Sequence, residues 1–438
     1  MIRPVLVFCL LAVTAWAQPY ATNGDQKLAA YVEQALERHP ALRESLASYR
    51  SALQRIPQVS ALPDPMIEVR QDIRPPETRV GPQGVMLSIS QQFPWFGKLD
   101  ERAKVAAKEA DVQREIHETQ RVEIVRQVKL AYYDLGFLDR AIEINNEEQA
   151  LLEHFETLAR AQYSLGTGLQ QAVVKLQAEI TLLRNRLELF EQQRVDAEAA
   201  LNTLLDQPPE TPIPLVVFDP VPAGAIELEP LYELGRRQRP ELKAAFLEIE
   251  KNEKRIHSAR KEFWPDVTLA AGYVNVGKRM DPAGIQMPPP DNGKDIYNVT
   301  VSLNLPIRRR KYNAAVMEAT EDFLASREGY RNTANGVEAA IRGVASRLRT
   351  LEGQISLFEK LLVPQADQAL RSSEAAYSTG SLGVLDLLDS ERTLLEVRLG
   401  LEQFKSDYMK ALAEMERAIG AAFPSERARV SARQENKP

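Results

Sequence analysis

This chain has one cysteine in 438 residues, Cys9, and it lies inside a short apolar leader. Arg3, the apolar run from Pro4 to Thr14 and the small-residue site Ala15-Trp16-Ala17 read as a secretory signal over residues 1–17. Its removal would start the mature chain at Gln18 with no thiol left, which suits an oxidising compartment and excludes disulfides. Bulky Phe8 precedes Cys9 with little apolar sequence upstream, so no lipobox and no acyl anchor are expected. No later run is long and apolar enough to cross a bilayer as a helix, so any membrane insertion must use strands. The four histidines, His39, His117, His154 and His257, are dispersed without ligand spacing. Met280 and Met287 share a loop but make no ligand set. Glycine-rich phosphate loops, nucleophile elbows and zinc-helix motifs are all lacking. The expectation is no enzyme, no cofactor and no metal site. A net charge of −6 argues against nucleic acid as a partner.

What is present is a repeat. His39-Pro40-Ala41-Leu42 returns as Arg239-Pro240-Glu241-Leu242, and Leu62-Pro63-Asp64 as Trp264-Pro265-Asp266. Ser90 to Pro94 returns as Ser302 to Pro306, and Tyr163-Ser164-Leu165-Gly166 as Tyr377-Ser378-Thr379-Gly380. So long a period means a duplicated half-molecule, with residues 18–222 and 223–420 as the halves and a polar tail over 421–438. Each half reads as a short helix (Asp25 to Leu53, and Leu231 to Ala259), two strands, a very long helix, a glycine turn and a helix back. Pro57 is expected to bend or end the first short helix, and the proline-rich stretch from Gln207 to Pro230 to separate the halves.

The strands, about residues 66–73, 85–93, 267–276 and 297–305, carry the most informative pattern. Tyr297, Val299, Val301, Leu303 and Leu305 alternate with Asn298, Thr300, Ser302 and Asn304. Val85, Leu87, Ile89 and Phe93 alternate similarly with Ser88, Ser90 and Gln92. A ribbon with one apolar and one small polar face fits a half-buried sheet over a core, or a wall between lipid and water. The flanking sequence offers no core, which favours the wall. Four strands cannot close a barrel, and an open edge in lipid is prohibitive, so a barrel must be shared among chains. Segments 75–84 and 277–296, rich in Pro and Gly, are expected as exposed loops.

Between Lys98 and Leu165 there is no proline and one glycine, Gly136, which predicts a helix on the order of 100 Å long. Val337, Ile341, Val344, Leu348, Leu351, Ile355, Phe358 and Leu362 alternate steps of four and three, the spacing of knobs-into-holes packing. Antiparallel hairpins are expected over residues 98–205 and 311–419, with a kink or break at Pro364. Asp386 and Asp389 follow the second turn at an i, i+3 spacing, on one helix face.

Pro63-Asp64-Pro65, Phe93-Pro94-Trp95-Phe96-Gly97-Lys98 and the stretch from Tyr377-Ser378-Thr379-Gly380 to Leu388-Asp389 resemble the TolC-like outer membrane efflux protein family. The Pro-Trp-x-Gly-Lys piece is most similar to its heavy-metal and cation efflux branch. The resemblance implies a mainly α fold with a membrane β-barrel portion. Three chains would form a twelve-stranded barrel in the outer membrane of a Gram-negative bacterium, continued as a periplasmic α-helical tunnel. It further implies a passive homotrimeric duct of a tripartite efflux system, set in outer-membrane lipid. A periplasmic adaptor would dock on the tips at Ser164, Leu165, Gly166, Thr167, Gly168, Thr379, Gly380, Ser381 and Leu382. An inner-membrane transporter, of the RND type, would stand behind the adaptor. By the same resemblance Asp386 and Asp389 form a cation-selective constriction, for which the first half has only Ala172 and Lys175. Leu382 and Ala172 replace the arginine and aspartate with which relatives lock their entrance, so that lock does not carry over from Tyr377 alone. The alternatives are the exit duct of a type I protein secretion system and, in a different class, a secreted coiled-coil scaffold with no pore.

Overall fold

The computed structural model describes residues 25–220, 224 and 226–423. The expected signal over residues 1–17 with Cys9, the expected boundary between the halves at 222/223 and the tail from 424 lie outside the described residues. The described chain is mostly helical with few strands, in the order α1 (Gln26–Arg38), α2 (Pro40–Ser60), β1 (Met66–Gln71), β2 (Glu77–Thr78), β3 (Gly81–Phe93), α3 (Lys98–Ser164), α4 (Gln170–Leu204). There follow α5 (Leu228–Gln238), α6 (Pro240–Lys261), β4 (Val267–Val276), α7 (Pro282–Gln286), β5 (Ile296–Leu303), α8 (Arg309–Leu357), a π-helical turn (Phe358–Leu362), α9 (Val363–Ser378) and α10 (Val384–Ile419). Two compact units result. One joins Glu44–His117 to Glu241–Thr333, and the other takes the chain through Arg43, Glu118–Pro240 and the residues from Ala334 onward.

The first unit holds the sheet, ordered β1-β3-β4-β5 and antiparallel throughout, with β2 pairing the start of β3. Its register aligns the alternation of all four long strands. Ile67 and Val69 pair with Ile89 and Leu87, these with Ala271 and Tyr273, and these with Val299 and Tyr297. The opposite face runs through Glu68, Ser88, Gly272 and Asn298. Among the described residues no core covers the apolar face, and Ile67, Tyr297 and Val299 are each at least 75% exposed. The outer edges of β1 and β5 have no partner strand among the described residues.

Three strands differ from expectation in their bounds, β1 ending at Gln71 instead of residue 73 and β5 starting one residue early at Ile296. β3 begins at Gly81, within the expected loop 75–84, because β2 captures Gly81 and Pro82. A bulge at Gly84 and Val85 then restores the register between Gln83 and Met86. β5 stops at Leu303 because the Asn304 side chain turns aside to exchange hydrogen bonds with Asp266 (Asn304 Nδ2 to Asp266 Oδ2, 3.3 Å).

Proline explains the helix corrections. Each expected short helix is two helices, split before Pro40 and before Pro240. His39 (ψ 126°) and Arg239 (ψ 121°) adopt the extended backbone that a following proline imposes. Pro57 does not end α2, which runs one turn further to Ser60. Its ring deletes a single hydrogen bond near the exposed end of the helix. Before Pro364 the ladder widens instead of breaking. The Val363 amide donates to the Phe358 carbonyl, five residues back, and the π turn absorbs the missing donor.

In the second unit the proline-rich segment after α4 is packed. Ile213 and Val216 are buried. The buried Asp139 carboxylate accepts from the Val216 amide (2.7 Å) and from Arg194 Nε (2.6 Å). Gly136 is the one glycine of α3 for the same reason, since a Cβ there would sit 2.5 Å from the Phe218 ring.

Candidate functional site

The two turns between long helices share one construction. In the first, Gly166 has φ +75°, its amide donates to the Tyr163 carbonyl (3.0 Å), and the Thr167 and Gly168 amides both donate to the Gln162 carbonyl (3.0 Å). In the second, Gly380 has φ +76° and donates to the Tyr377 carbonyl (3.0 Å), while Ser381 and Leu382 donate to the Ala376 carbonyl (2.8 and 3.2 Å). Ser164 and Ser378 each cap their own helix by donating to a carbonyl three residues back (2.8 Å). The turns thus satisfy carbonyls that a helix end would leave bare. Nothing lies within 4 Å of a Cβ at Gly166 or Gly380, so only the left-handed backbone demands glycine. Gly380→Ala should therefore cost about 1–2 kcal/mol in urea unfolding, with Gly380→Asn costing less.

Of the residues expected at the tips, Ser164, Leu165, Gly166, Thr167, Thr379, Gly380 and Ser381 are exposed, and Gly168 and Leu382 half-buried. The first tip is the more apolar, with Leu165 79% and Leu169 74% exposed. Tyr377 instead points inward. It is buried in the core formed by α3, α4, α9 and α10, with its hydroxyl unpaired, and burial raises its pKa.

Asp386 lies in the first turn of α10 and Asp389 one turn on, both exposed. Neither carboxylate has an ion pair among the described residues. Arg392, within reach of Asp389 on the same face, is drawn away to Glu179 on α4 (Nε to Oε1, 3.0 Å). The structure leaves the two acids side by side and exposed. Lys175 and Ala172, at the matching places on α4, are half-buried. Met280 and Met287 are exposed on either side of α7 and face no metal-ligand group of three or more among the described residues.

Sequence reasoning missed a second acidic pair. Glu391, half a turn past Asp389, is 1% exposed and faces Glu148 of α3, which is 2% exposed. The two carboxyls hydrogen-bond to each other, while Glu148 Oε1 and Glu391 Oε2 have no hydrogen-bond partner among the described residues. Burial, then the facing Glu148, push the Glu391 carboxyl up to about 9; burial raises Glu148 as well. Burial and mutual repulsion thus favour a protonated carboxyl in the pair. Glu148 occupies a core slot between Ala141 and Leu152, and Glu391 one between Leu387 and Leu394.

The profile of the outer membrane efflux protein family matches residues 31–207 and again 231–421. The outer membrane protein TolC of Vibrio cholerae is 24% identical over 391 residues, covering 86% of this chain and 84% of that protein. Among solved structures, CusC superposes with a TM-score of 0.77 at 16% identity, covering 94% of this chain and 96% of its own. VceC of Vibrio cholerae superposes with a TM-score of 0.73 at 20% identity, covering 91% and 97%.

Proposed function

The chain belongs to the outer membrane efflux protein family and is an outer-membrane protein, and on that premise we propose that it is the passive exit duct of a tripartite efflux system. Three copies would place their four-stranded sheets edge to edge as one twelve-stranded barrel. The carrying observation is the bare apolar face of the sheet together with its two unpartnered edges. In water that face would be a large exposed apolar patch, and in lipid the open edges would leave backbone groups unsatisfied. Sister copies on both edges remove the edge cost, and lipid against the apolar face removes the other. Detergent-solubilised protein should have the mass of three chains plus micelle; a monomer would refute the proposal.

The two matched stretches support reading the chain as two halves, residues 18–222 and 223–420. A conduit needs no chemistry of its own, since the inner-membrane pump supplies the energy. The adaptor docks on the helical tips, where exposed Leu165 and Leu169 offer apolar anchors beside the hydrogen-bonding Thr167, Thr379 and Ser381. Three copies of Asp386 and Asp389 form the constriction. Six carboxylates at one narrow point concentrate cations and repel anions. Replacing both with Asn should lower the cation-over-anion permeability ratio several-fold in planar bilayer recordings. An unchanged ratio would remove the pair from the constriction.

A further inference from the structure

The apolar alternation of β5 does not stop with the strand. Past Tyr297, Val299, Val301 and Leu303 it continues through exposed Leu305 and Ile307, and then meets four consecutive cations, Arg308, Arg309, Arg310 and Lys311. All four are exposed, and none takes part in an ion pair among the described residues. The first turn of α8, in which Arg309 to Lys311 fall, has no acidic residue to offset them. Cations are disfavoured at that end of a helix and repel one another, so the run does not serve the helix itself.

The matching corner of the first half is built the opposite way. There Phe93-Pro94-Trp95-Phe96-Gly97 leads to one lysine, Lys98, which is buried and paired with Asp266 (2.8 Å) and Glu262 (3.3 Å). Asp100 and Glu101 fill the first turn of α3. One corner is electrically closed and the other open.

Aromatic rings flank the open corner. Arg309 lies 5.5 Å over the Phe263 ring, which packs at 5.5 Å against Tyr312, and the neighbouring Trp264 stacks on Trp95 at 5.3 Å. Phe96 and Trp264 keep much of their surface exposed. An apolar stripe ending in aromatic rings and then bare cations matches the profile of a bilayer from acyl chains through the interface to the phosphate layer.

We propose that Arg308, Arg309, Arg310 and Lys311 form a surface that binds the phosphates of anionic phospholipids in the leaflet facing the helical part of the protein. This rests on the sheet being a membrane wall. Guanidinium forks suit bidentate phosphate contacts, and the Phe263 and Tyr312 rings hold two of the cations at the interface.

Trp95 and Trp264, the only tryptophans after residue 17, stand at this corner and report on it. The full chain would be reconstituted into phosphatidylcholine vesicles, and brominated phosphatidylglycerol compared with brominated phosphatidylcholine as quenchers of tryptophan fluorescence. The wild type should favour the anionic lipid by roughly fivefold or more, the preference weakening with salt. In the R308Q/R309Q/R310Q/K311Q variant the preference should fall to near unity while the trimer mass is kept. Equal quenching by both lipids in the wild type overturns the proposal. So does full competition by inorganic phosphate, which would make the ligand a free anion. A variant that loses its trimer instead assigns the run to a neighbouring copy and overturns the proposal as well. Absence of quenching by either lipid would refute the membrane wall itself, and so separates the two readings.

Discussion

Lys98→Met should lower the stability of the protein by about 3 kcal/mol or more, the largest effect expected of any single substitution at the base of the sheet. The side chain of Lys98 is 2% exposed, and its ammonium lies 2.8 Å from Asp266 Oδ1 and 3.3 Å from Glu262 Oε2. Asp266 is also held by the Trp95 amide (3.0 Å) and by Asn304, so one cation ties the start of α3 to the entry of β4 and the exit of β5. Methionine fills the same volume but leaves Asp266 without its counter-ion, while Glu262 keeps Arg102 (2.7 Å). Breaking one side of a buried pair costs far more than replacing both sides, because the remaining charge is stranded. The remaining hydrogen bonds to Asp266 keep the cost toward the lower end of the usual range. Urea unfolding in detergent measures it, and adding Asp266→Asn to Lys98→Met should recover more than half of the loss. A Lys98→Met protein within 1 kcal/mol of wild type would show that the clamp contributes little.

The sheet was legible because its pattern is local and periodic. Tyr297, Val299, Val301 and Leu303 take one face of β5 as their alternation requires, and the register carries that face across all four long strands. Leu305 obeys the same alternation but falls outside the strand, because the Asn304–Asp266 contact is tertiary and leaves no mark on periodicity. The splits at Pro40 and Pro240 follow from a local rule that outweighs the helical pattern on either side. The segment after α4 read as a separator because prolines forbid regular structure there. Its packing depends on Asp139 and Arg194, charged residues that a pattern reading assigns to solvent. Asp386 and Asp389 stood out through their spacing beside a turn. Glu148 and Glu391 were hidden because a carboxylate in a core slot looks like one more member of a solvated face, and only the approach of α3 to α10 shows otherwise.

That hidden pair sets the pH response of the helical unit. In the unfolded chain Glu391 ionises near its ordinary value of 4.5, and in the folded chain near 9. Between those values the folded state holds a proton that the unfolded state has released. Unfolding therefore discharges a proton, and the pair's contribution to stability falls as pH rises through this window, by up to about 1.4 kcal/mol per pH unit. The surroundings do not cancel the effect. Arg392 is engaged by Glu179 and Arg398 by Glu147 (2.5 Å), while Glu374 on α9 adds further negative charge near Glu148. Glu391→Gln keeps a neutral hydrogen-bonding group against Glu148 and removes the Glu391 titration, leaving that of buried Glu148. Thermal unfolding in detergent should show the wild type losing stability between pH 6 and pH 8.5, while Glu391→Gln loses less and becomes the more stable protein at the alkaline end. Parallel curves for the two proteins would mean that the carboxyl ionises in place, compensated by Arg392 or Arg398, and the protonated carboxyl would have to be given up.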